Sequence, residues 1–259
     1  MTGKKPENFD RTPDESLVEG RNAVLEALRA GRTIDKIYIL RGAHDASLGE
    51  ILARAKRAGI VVVESERAKL VAMSTTGVHQ GVIAACAAHE YADFDALLEK
   101  AKEKDGPALF VLCDGITDPH NLGAIIRTAG AVGADGVIIP KRRSVALTAV
   151  VAKAAAGALE YVPVARVGNL TNAIEKLKDA GIWIYGTSDR AEKSLYQTDL
   201  RGNAAFVVGS EGEGMSRLVE ENCDFVLSIP MAGRIASLNA SNAAAVVLFE
   251  AVRQRTVEN

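Results

Sequence analysis

The sequence predicts an α/β protein built on a mostly parallel, open sheet with helices on both faces. Short apolar strands alternate with amphipathic helices along nearly the whole chain. Several of the apolar runs, such as Leu109-Phe-Val-Leu-Cys113, have the continuous hydrophobicity of strands buried on both faces. The chain has 259 residues, 48% of them hydrophobic and 25% charged, which suits a globular protein of one large or two smaller domains.

The composition excludes several other classes of protein. No apolar run reaches the length of a membrane span, and Lys4 and Lys5 are followed by no apolar block of the kind a secretory signal needs. Three cysteines, Cys86, Cys113 and Cys223, lie far apart and show no metal-ligand spacing, so we expect free thiols and no metal. These features predict a cytoplasmic protein. The net charge of −2 neither favours nor excludes a nucleic-acid partner.

Elements in the first third of the chain predict a small N-terminal domain. Residues 1–16 mix Lys, Glu, Asp and Pro and are expected to form a mobile tail. Residues 17–88 are expected to form an α/β domain. Its helices are predicted at 20–30, 48–58 and 66–73, and its strands at 37–40, 60–63 and 81–87. Residues 89–106, with a charged helix at 94–104, are interpreted as a linker.

The remaining residues, 107–259, predict the larger sheet. Strands are expected at 109–114, 136–140, 161–165, 182–186, 204–209 and 225–229, and helices at 122–132, 148–155, 170–180, 215–222 and from about 237 to 255. Trp183 is expected in the core. Ligands of parallel sheets bind outside the carboxyl ends of the strands, so the loops that leave those ends are the candidate site.

The first such loop leads from Asp114 into the helix that carries Arg127. Asp118 and Pro119 favour a turn, and Asn121 is predicted to cap the helix. The Arg127 side chain leans back toward the helix N-terminus, where it would make a phosphate clamp. The alternative is an ordinary surface arginine on an amphipathic helix.

The second loop, Val207-Val-Gly-Ser-Glu-Gly-Glu-Gly-Met215, carries two carboxylates among glycines. It lacks the G-x-G-x-x-G pattern that seats a dinucleotide pyrophosphate, and its acids would repel phosphates. A sulfonium or ribose hydroxyls would suit it better. The alternative is a flexible acidic turn.

The third stretch, Ile229–Asn242, joins a strand that ends at Pro230 to a helix rich in small residues. Hydroxyl and amide side chains crowd the start of this helix: Ser237, Asn239, Ser241 and Asn242. One such side chain is enough to cap the helix, so the presence of four indicates that some of them bind a ligand. The alternative is that they only cap a buried helix. Thr187 and Ser188, after the strand at 182–186, are a weaker fourth candidate.

Together these segments resemble the SpoU (TrmH) branch of the SPOUT RNA methyltransferases. The matching motifs are Asn121-Leu-Gly-Ala-Ile-Ile-Arg-Thr-Ala129, Val208-Gly-Ser-Glu-Gly-Glu-Gly214, and Ile229-Pro-Met followed by Ser237-Leu-Asn-Ala-Ser241. Residues 17–88 are similar to the family's L30e-like RNA-binding domain through two further motifs, Val18-Glu-Gly-Arg-Asn-Ala-Val-Leu-Glu-Ala-Leu28 and His79-Gln-Gly-Val82. With Leu248-Phe-Glu-Ala-Val-Arg-Gln-Arg255, they favour the subgroup of 23S rRNA guanosine 2′-O-methyltransferases.

The resemblance implies S-adenosylmethionine as cofactor, ribosomal RNA as partner, a C-terminal trefoil knot and a homodimer packed through the knotted region. The family's catalytic positions fall on Asn121, Arg127, Glu211, Ser237 and Asn239, and its cofactor-binding positions on Gly209, Ile229 and Leu238. Thr187 is added as a cofactor-binding candidate. Relatives often have Ser-Val where this chain has Ser241-Asn242, so Asn242 is left out of the site.

We interpret Arg127 as a group that fixes a phosphate and stabilises the developing alkoxide. A guanidinium rarely gives up its proton, so we do not assign it as the base. Glu211 and Asn121 are expected to orient it. Six further basic side chains could contact the RNA backbone: Lys141, Arg142, Arg143, Arg21, Lys36 and Arg41. The alternative for each of them is an ordinary solvated charge on the protein surface, which is the more common case.

Other functions remain open from the sequence. The same chemistry could act on a tRNA ribose or on an rRNA adenosine, and an RNA-binding module with an inactive catalytic domain is a further alternative. A nicotinamide dehydrogenase would need a glycine fingerprint after its first strand, which Leu109 to Arg127 lacks.

Overall fold

The computed structural model of the protein describes residues 17–256 apart from residues 75, 88, 235 and 236. These residues form two compact units that divide near residue 87. The expected tail, residues 1–16, lies outside the described residues. None of the helices in the described part of the chain has the length and hydrophobicity needed to cross a membrane.

The N-terminal unit is a four-stranded mixed sheet with three helices. Its elements are β1 (Leu17–Glu19), α1 (Arg21–Arg29), β2 (Ile34–Leu40), α2 (Ala46–Arg57), β3 (Val61–Ser65), α3 (Arg67–Met73) and β4 (Val82–Cys86). The strand order is β1-β4-β2-β3, in which only β2 and β3 run parallel. Val24, Ile37 and Ile51 are completely buried in its core. The three-residue β1 was not predicted because it is too short to show a pattern.

The C-terminal unit is built on a seven-stranded sheet. Its elements are α4 (Phe94–Glu103), β5 (Leu109–Cys113), α5 (Pro119–Ala131), β6 (Gly136–Pro140), α6 (Ala149–Ala155), β7 (Val164–Val167), α7 (Leu170–Asp179), β8 (Trp183–Thr187), β9 (Lys193–Ser194), β10 (Ala204–Val208), α8 (Arg217–Glu221), β11 (Phe225–Ser228) and α9 (Ala240–Thr256). The strand order is β7-β6-β5-β10-β8-β11-β9, and every neighbouring pair is parallel. The predicted α/β fold with a mostly parallel sheet is confirmed.

Helices cover both faces of this sheet. One core cluster contains apolar residues of α5, α6 and α9, and the other contains those of α4, α7 and α8. Phe110 of β5 and Phe206 of β10 are fully buried at the centre of the sheet. Residues 89–106, interpreted from sequence as a linker, include α4, which buries Leu97 and Leu98 in the second cluster.

The sheet has a topological switch point between β5 and β10, where the connections from the two neighbouring strands lead to opposite sides of the sheet. From β5 the chain continues to β6 and β7 on one side, whereas from β10 it continues through α8 to β11 on the other side. Because neighbouring strands are parallel, their carboxyl ends share one edge of the sheet. Ligands of such sheets bind at this kind of position.

Two predictions about the strand segments of the C-terminal unit were wrong. The strand expected at 161–165 begins only at Val164, because residues 158–160 form a 3-10 helix and Pro163 has no N–H for the ladder. Trp183, expected in the core, is 53% exposed. It is the first residue of β8, and its ring lies 5.7 Å from that of Phe225.

Candidate active site

Three segments that are distant in sequence meet at the carboxyl edge of the large sheet. Asn121 comes from the first turn of α5, Glu211 from the β10–α8 loop, and Asn239 from the residue before α9. Asn121 Nδ2 donates to Glu211 Oε1 at 2.7 Å, and Asn239 Nδ2 donates to Asn121 Oδ1 at 2.9 Å and to Glu211 Oε1 at 2.5 Å. These bonds form a closed triangle of side chains, called here the Asn–Glu–Asn triangle.

The orientation of the Asn239 amide follows from its position at the start of α9. Its Oδ1 accepts hydrogen bonds from the Ser241 backbone N–H at 2.9 Å and from Ser241 Oγ at 2.6 Å. Within an amide group only the oxygen can accept from a backbone N–H, so the amide nitrogen must face Glu211 and Asn121. The capping of α9 therefore fixes the direction of the donor.

Glu211 serves as an acceptor in the triangle. Its Oε1 accepts from both amide nitrogens, which suits an ionised carboxylate. Its Oε2 accepts no hydrogen bond from the described residues. One carboxylate oxygen thus stays available to an incoming ligand.

The loop that carries Glu211 is a closed turn. Ser210 and Gly214 exchange two backbone hydrogen bonds of 3.0 Å. A Cβ on Gly209 would lie 2.2 Å from the Gly214 carbonyl carbon, so no larger residue fits there without moving the loop. Asp114 Oδ2 accepts from the Ser216 N–H at 2.6 Å and ties the end of the loop to β5. This geometry makes the loop a defined site and not a flexible acidic turn.

A cavity of about 500 Å³ opens beside the triangle. Among the residues that line it are seven of the nine predicted site residues: Thr187, Gly209, Glu211, Ile229, Ser237, Leu238 and Asn239. Four carboxylates line the cavity, those of Asp189, Glu211, Glu213 and Glu220, against one cationic side chain, that of Arg190, among the described lining residues. The cavity therefore favours a cationic ligand over a phosphate-rich one.

Asn121 does not cap α5, and that prediction was wrong. The cap is Asp118, whose Oδ1 accepts from the His120 N–H at 3.1 Å. Pro119 fits the first helical position because its missing N–H would have no partner there, and it places the helix start earlier than expected. Asn121 is consequently inside the first turn. Its side chain is free to join the Asn–Glu–Asn triangle.

Arg127 stands apart from the triangle. It is exposed, it does not line the cavity, and it forms no hydrogen bond or ion pair with a described residue. Glu211 and Asn121, which were expected to orient Arg127, accept no hydrogen bond from its guanidinium in the described structure. Arg127 follows Asn121 by six residues, about 9 Å along the helix axis. Its guanidinium is therefore available to a ligand from outside.

Several lining residues escaped the sequence analysis. Asp189 and Arg190 directly follow Thr187 and Ser188, so the end of β8 was the signal that could have revealed them. Glu220 follows the acidic loop but carried no pattern of its own. No group of three His, Cys, Asp or Glu side chains in the described segments could hold a metal ion.

The thiols nearest this region are not nucleophiles. Cys113, at the end of β5, is completely buried, and burial raises the pKa of its thiol to about 12. Burial also raises the pKa of Cys223 to about 12. Both are free cysteines, as predicted. Their thiolates are too scarce near neutral pH for covalent catalysis.

The parallel sheet, the switch point and the polar cavity define a ligand-binding protein of the α/β class. A family model described as the SpoU rRNA Methylase family matches residues 108–249, and one described as RNA 2′-O ribose methyltransferase substrate binding matches residues 17–92. The chain belongs to the SpoU (TrmH) family of RNA methyltransferases. The resemblance drawn from the motifs is thereby confirmed at the level of the family.

Relatives of similar length support this assignment. A Staphylococcus aureus protein, described provisionally as a TrmH family tRNA/rRNA methyltransferase, is 48% identical over 93% of this chain and 97% of its own. A Bacillus subtilis protein with the same provisional description is 47% identical over 92% and 95% of the two chains. The crystal structure of the SpoU methyltransferase AviRb from Streptomyces viridochromogenes, solved with AdoMet, has a TM-score of 0.58 and 28% identity and covers 92% and 90% of the two chains.

Proposed function

We propose that this protein transfers a methyl group from S-adenosylmethionine to a ribose 2′-hydroxyl of RNA. The observation that carries the proposal is the Asn–Glu–Asn triangle at the side of an acidic cavity. The triangle offers a free carboxylate oxygen, and the unpaired Arg127 supplies a cation on the neighbouring helix. A cationic methyl donor and a polyanionic acceptor need these two features at one edge of the sheet.

The cavity fits S-adenosylmethionine. Its volume of about 500 Å³ lies within the usual range of small-molecule sites, roughly 300–1,000 Å³. Its four carboxylates suit a ligand that carries a sulfonium and an ammonium group. The main chain at Gly209, Ile229 and Leu238 would hold the cofactor, and AviRb was solved with AdoMet. When bound, S-adenosylmethionine supplies a methyl group activated by its sulfonium.

The chain's own residues would mainly supply alignment. Methyl transfer is an in-line displacement, so fixing the two reactants in one geometry provides much of the rate. Glu211 Oε2 is placed to accept a hydrogen bond from a ribose hydroxyl or from a group that positions it. Asn121 and Asn239 hold Glu211 still, and Ser237 adds a hydroxyl at the cavity wall.

Arg127 would bind a phosphate next to the target ribose and stabilise the developing alkoxide. A guanidinium keeps its proton at physiological pH, so the 2′-hydroxyl proton would leave to phosphate or water. The absence of any partner for Arg127 among the described residues supports this role, because no internal acceptor competes with the RNA.

We propose a guanosine of 23S rRNA as the target, on the resemblance of the motifs at both ends of the chain. Residues 17–88 would bind the RNA, which accords with the substrate-binding family matched over residues 17–92. Residues 107–259 would form the catalytic domain with its trefoil knot. This domain would pair with a second copy, for which the 52% exposed Phe249 of α9 offers an apolar contact. Light scattering of the purified protein tests the dimer.

Transfer of tritiated methyl groups tests the function. Purified protein, labelled S-adenosylmethionine and unmodified 23S rRNA should give labelled RNA, and mapping should place the label on one guanosine. Unmodified tRNA is the parallel substrate, since the relatives are described for tRNA and rRNA alike. Labelling of tRNA alone would overturn the rRNA assignment, and labelling of neither RNA would overturn the function.

A further inference from the structure

Five arginines of the C-terminal unit share an unusual property. Their side chains are exposed and form no hydrogen bond or ion pair with a described residue: Arg127, Arg142, Arg143, Arg190 and Arg234. Each lies after the carboxyl end of a strand, in the segments that follow β5, β6, β8 and β11. By contrast, Arg201, Arg217 and Arg253 each pair with an acid close in sequence. The unpaired arginines of this unit are therefore concentrated at the edge that holds the cavity.

The two sides of this edge differ in their acids. The cavity side, after β8 and β10, carries the four carboxylates that line the cavity. The β6–α6 connection, residues 141–148, contains three consecutive cations and no acid. An RNA backbone is repelled by the first side and attracted by the second. The charge distribution thus gives the RNA a direction of approach.

The β6–α6 connection is held firmly on both sides of its tip. The Lys141 N–H donates to the Val167 carbonyl at 2.8 Å, and the Val145 N–H donates to the Ile116 carbonyl at 2.9 Å. The second bond fixes the tip, Arg142 and Arg143, beside the loop that leads into α5 and Arg127. A backbone ordered in advance lowers the entropy cost of binding a ligand.

Arg143 has a backbone conformation that arginine adopts at a cost. Its φ is +57°, in the left-handed region that glycine enters freely and that other L residues avoid. Neither its side chain nor that of Arg142 makes a hydrogen bond or ion pair in the described structure that would offset this strain. A strained backbone conformation that no internal contact compensates is typical of a functional position.

We propose that Arg142 and Arg143 bind backbone phosphates of the RNA next to the target nucleotide. The RNA then crosses the carboxyl edge over β5 and β6, with Arg127 at the reacting nucleotide and the acidic side left to the cofactor. Arg142 and Arg143 are positioning residues and touch no reacting atom. This inference rests on the proposed function and adds the path of the RNA across the site.

Equilibrium binding of an unmodified 23S rRNA fragment at several salt concentrations tests the inference. We expect Arg142→Gln and Arg143→Gly each to weaken binding about tenfold, because each removes a charge-assisted hydrogen bond to phosphate. The slope of log K against log salt should fall in magnitude by about 0.7–0.9 for each phosphate that the variant no longer neutralises. Arg201→Gln is the matched control, since it removes one exposed arginine that precedes β10 at the opposite edge. It should leave both the affinity and the slope unchanged.

Two further measurements separate binding from folding. Arg143→Gly should unfold at the same or a higher temperature than the wild type, because glycine relieves the strained φ. The affinity of both variants for S-adenosylmethionine, measured by calorimetry, should not change. A weakened RNA affinity with these two properties intact cannot come from misfolding.

Unchanged RNA affinity and salt slope in both variants would overturn the inference, as would an equal loss in Arg201→Gln. The proposed function fails separately: a wild-type protein that binds RNA through these arginines but transfers no methyl group leaves the RNA path standing and removes the activity.

Discussion

Asn239 Nδ2 donates to Glu211 Oε1 at 2.5 Å, and this contact joins the acidic loop after β10 to the start of α9. The same Asn239 side chain caps α9 through its oxygen. One residue therefore couples the position of a helix to the direction of a carboxylate. Any loss of the cap should disturb the site, and the two effects can be separated by substitution.

Replacement of Asn239 tests this coupling. Asn239→Ala should lower the free energy of unfolding by about 1 kcal/mol through removal of the cap. It should also lower methyl transfer at least tenfold, because Glu211 loses a donor. Asn239→Asp keeps an acceptor for the cap but sets a second carboxylate beside Glu211, so transfer should fall with a smaller loss of stability. Denaturant unfolding and methyl-transfer rates measure both.

The control for this pair is Asn169→Ala. Asn169 caps α7 by accepting from the Thr171 N–H at 2.8 Å and does not line the cavity. It should cost similar stability and leave transfer near the wild-type rate. Equal losses of transfer in Asn169→Ala and Asn239→Ala would contradict the role of the Asn–Glu–Asn triangle.

Arg127→Lys distinguishes a phosphate clamp from a simple positive charge. Lysine keeps the charge but loses the planar, two-pronged donor set. We expect kcat/KM for RNA to fall about tenfold or more, with unchanged affinity for S-adenosylmethionine, because Arg127 lies outside the cavity. Near-wild-type turnover in Arg127→Lys would show that two-pronged binding is unnecessary.

Gly209→Ala tests the closed turn. An added Cβ would lie 2.2 Å from the Gly214 carbonyl carbon and 2.4 Å from the Met215 nitrogen, so the loop must open. We expect the Kd for S-adenosylmethionine to rise at least tenfold, measured by calorimetry. Gly202→Ala is the control, because a Cβ at Gly202 meets no atom within 4 Å and its φ is not positive. Cofactor binding by Gly209→Ala as tight as by this control would refute the prediction.

The ionisation of Glu250 should make the free energy of unfolding depend on pH. This glutamate of α9 is 7% exposed and accepts from Arg253 Nε, Arg253 Nη2 and Gln254 Nε2, each at 2.8 Å. The hydrogen bonds from Arg253 are the main cause that holds its pKa below the ordinary value. A pKa lowered on folding stabilises the protein above the unfolded value, about 4.3, and the gain is lost as the pH falls through the folded value.

The stability difference between the wild type and Glu250→Gln should therefore be constant from pH 7 to about pH 5 and shrink below that. Urea unfolding at a series of pH values measures it. A difference that stays the same down to pH 3 would show that ionisation of Glu250 does not contribute.

The sequence predicted those parts of the molecule that are determined by residues close together along the chain. Continuous apolar runs such as Leu109 to Cys113 placed the central strands, and the glycines and acids after Val208 identified the loop that carries Glu211. Asn121 was picked out as a site residue but assigned the wrong structural role. Asp118 accepts from the His120 N–H at the start of α5. The composition of the segment does not show which of the two possible caps, Asp118 or Asn121, takes this position.

The remaining features depend on contacts across the fold. The two-residue β9 has no periodicity, and its place in the sheet comes from pairing with β11. The lining of the cavity by Asp189 and Glu220 depends on which strands are neighbours, which the chain order alone does not fix. The isolation of Arg127 from Glu211 likewise depends on the fold, because Glu211 pairs instead with Asn121 and Asn239, which come from two other segments of the chain.

The alkali resistance of the labelled RNA is the most direct test of the central claim, that the site modifies a ribose. A methyl group on the 2′-oxygen removes the internal nucleophile of alkaline hydrolysis, so the bond to the next nucleotide survives. After complete digestion, the account predicts that the transferred label is found in an alkali-stable dinucleotide. Label recovered in single nucleotides, as from a methylated base, would contradict it.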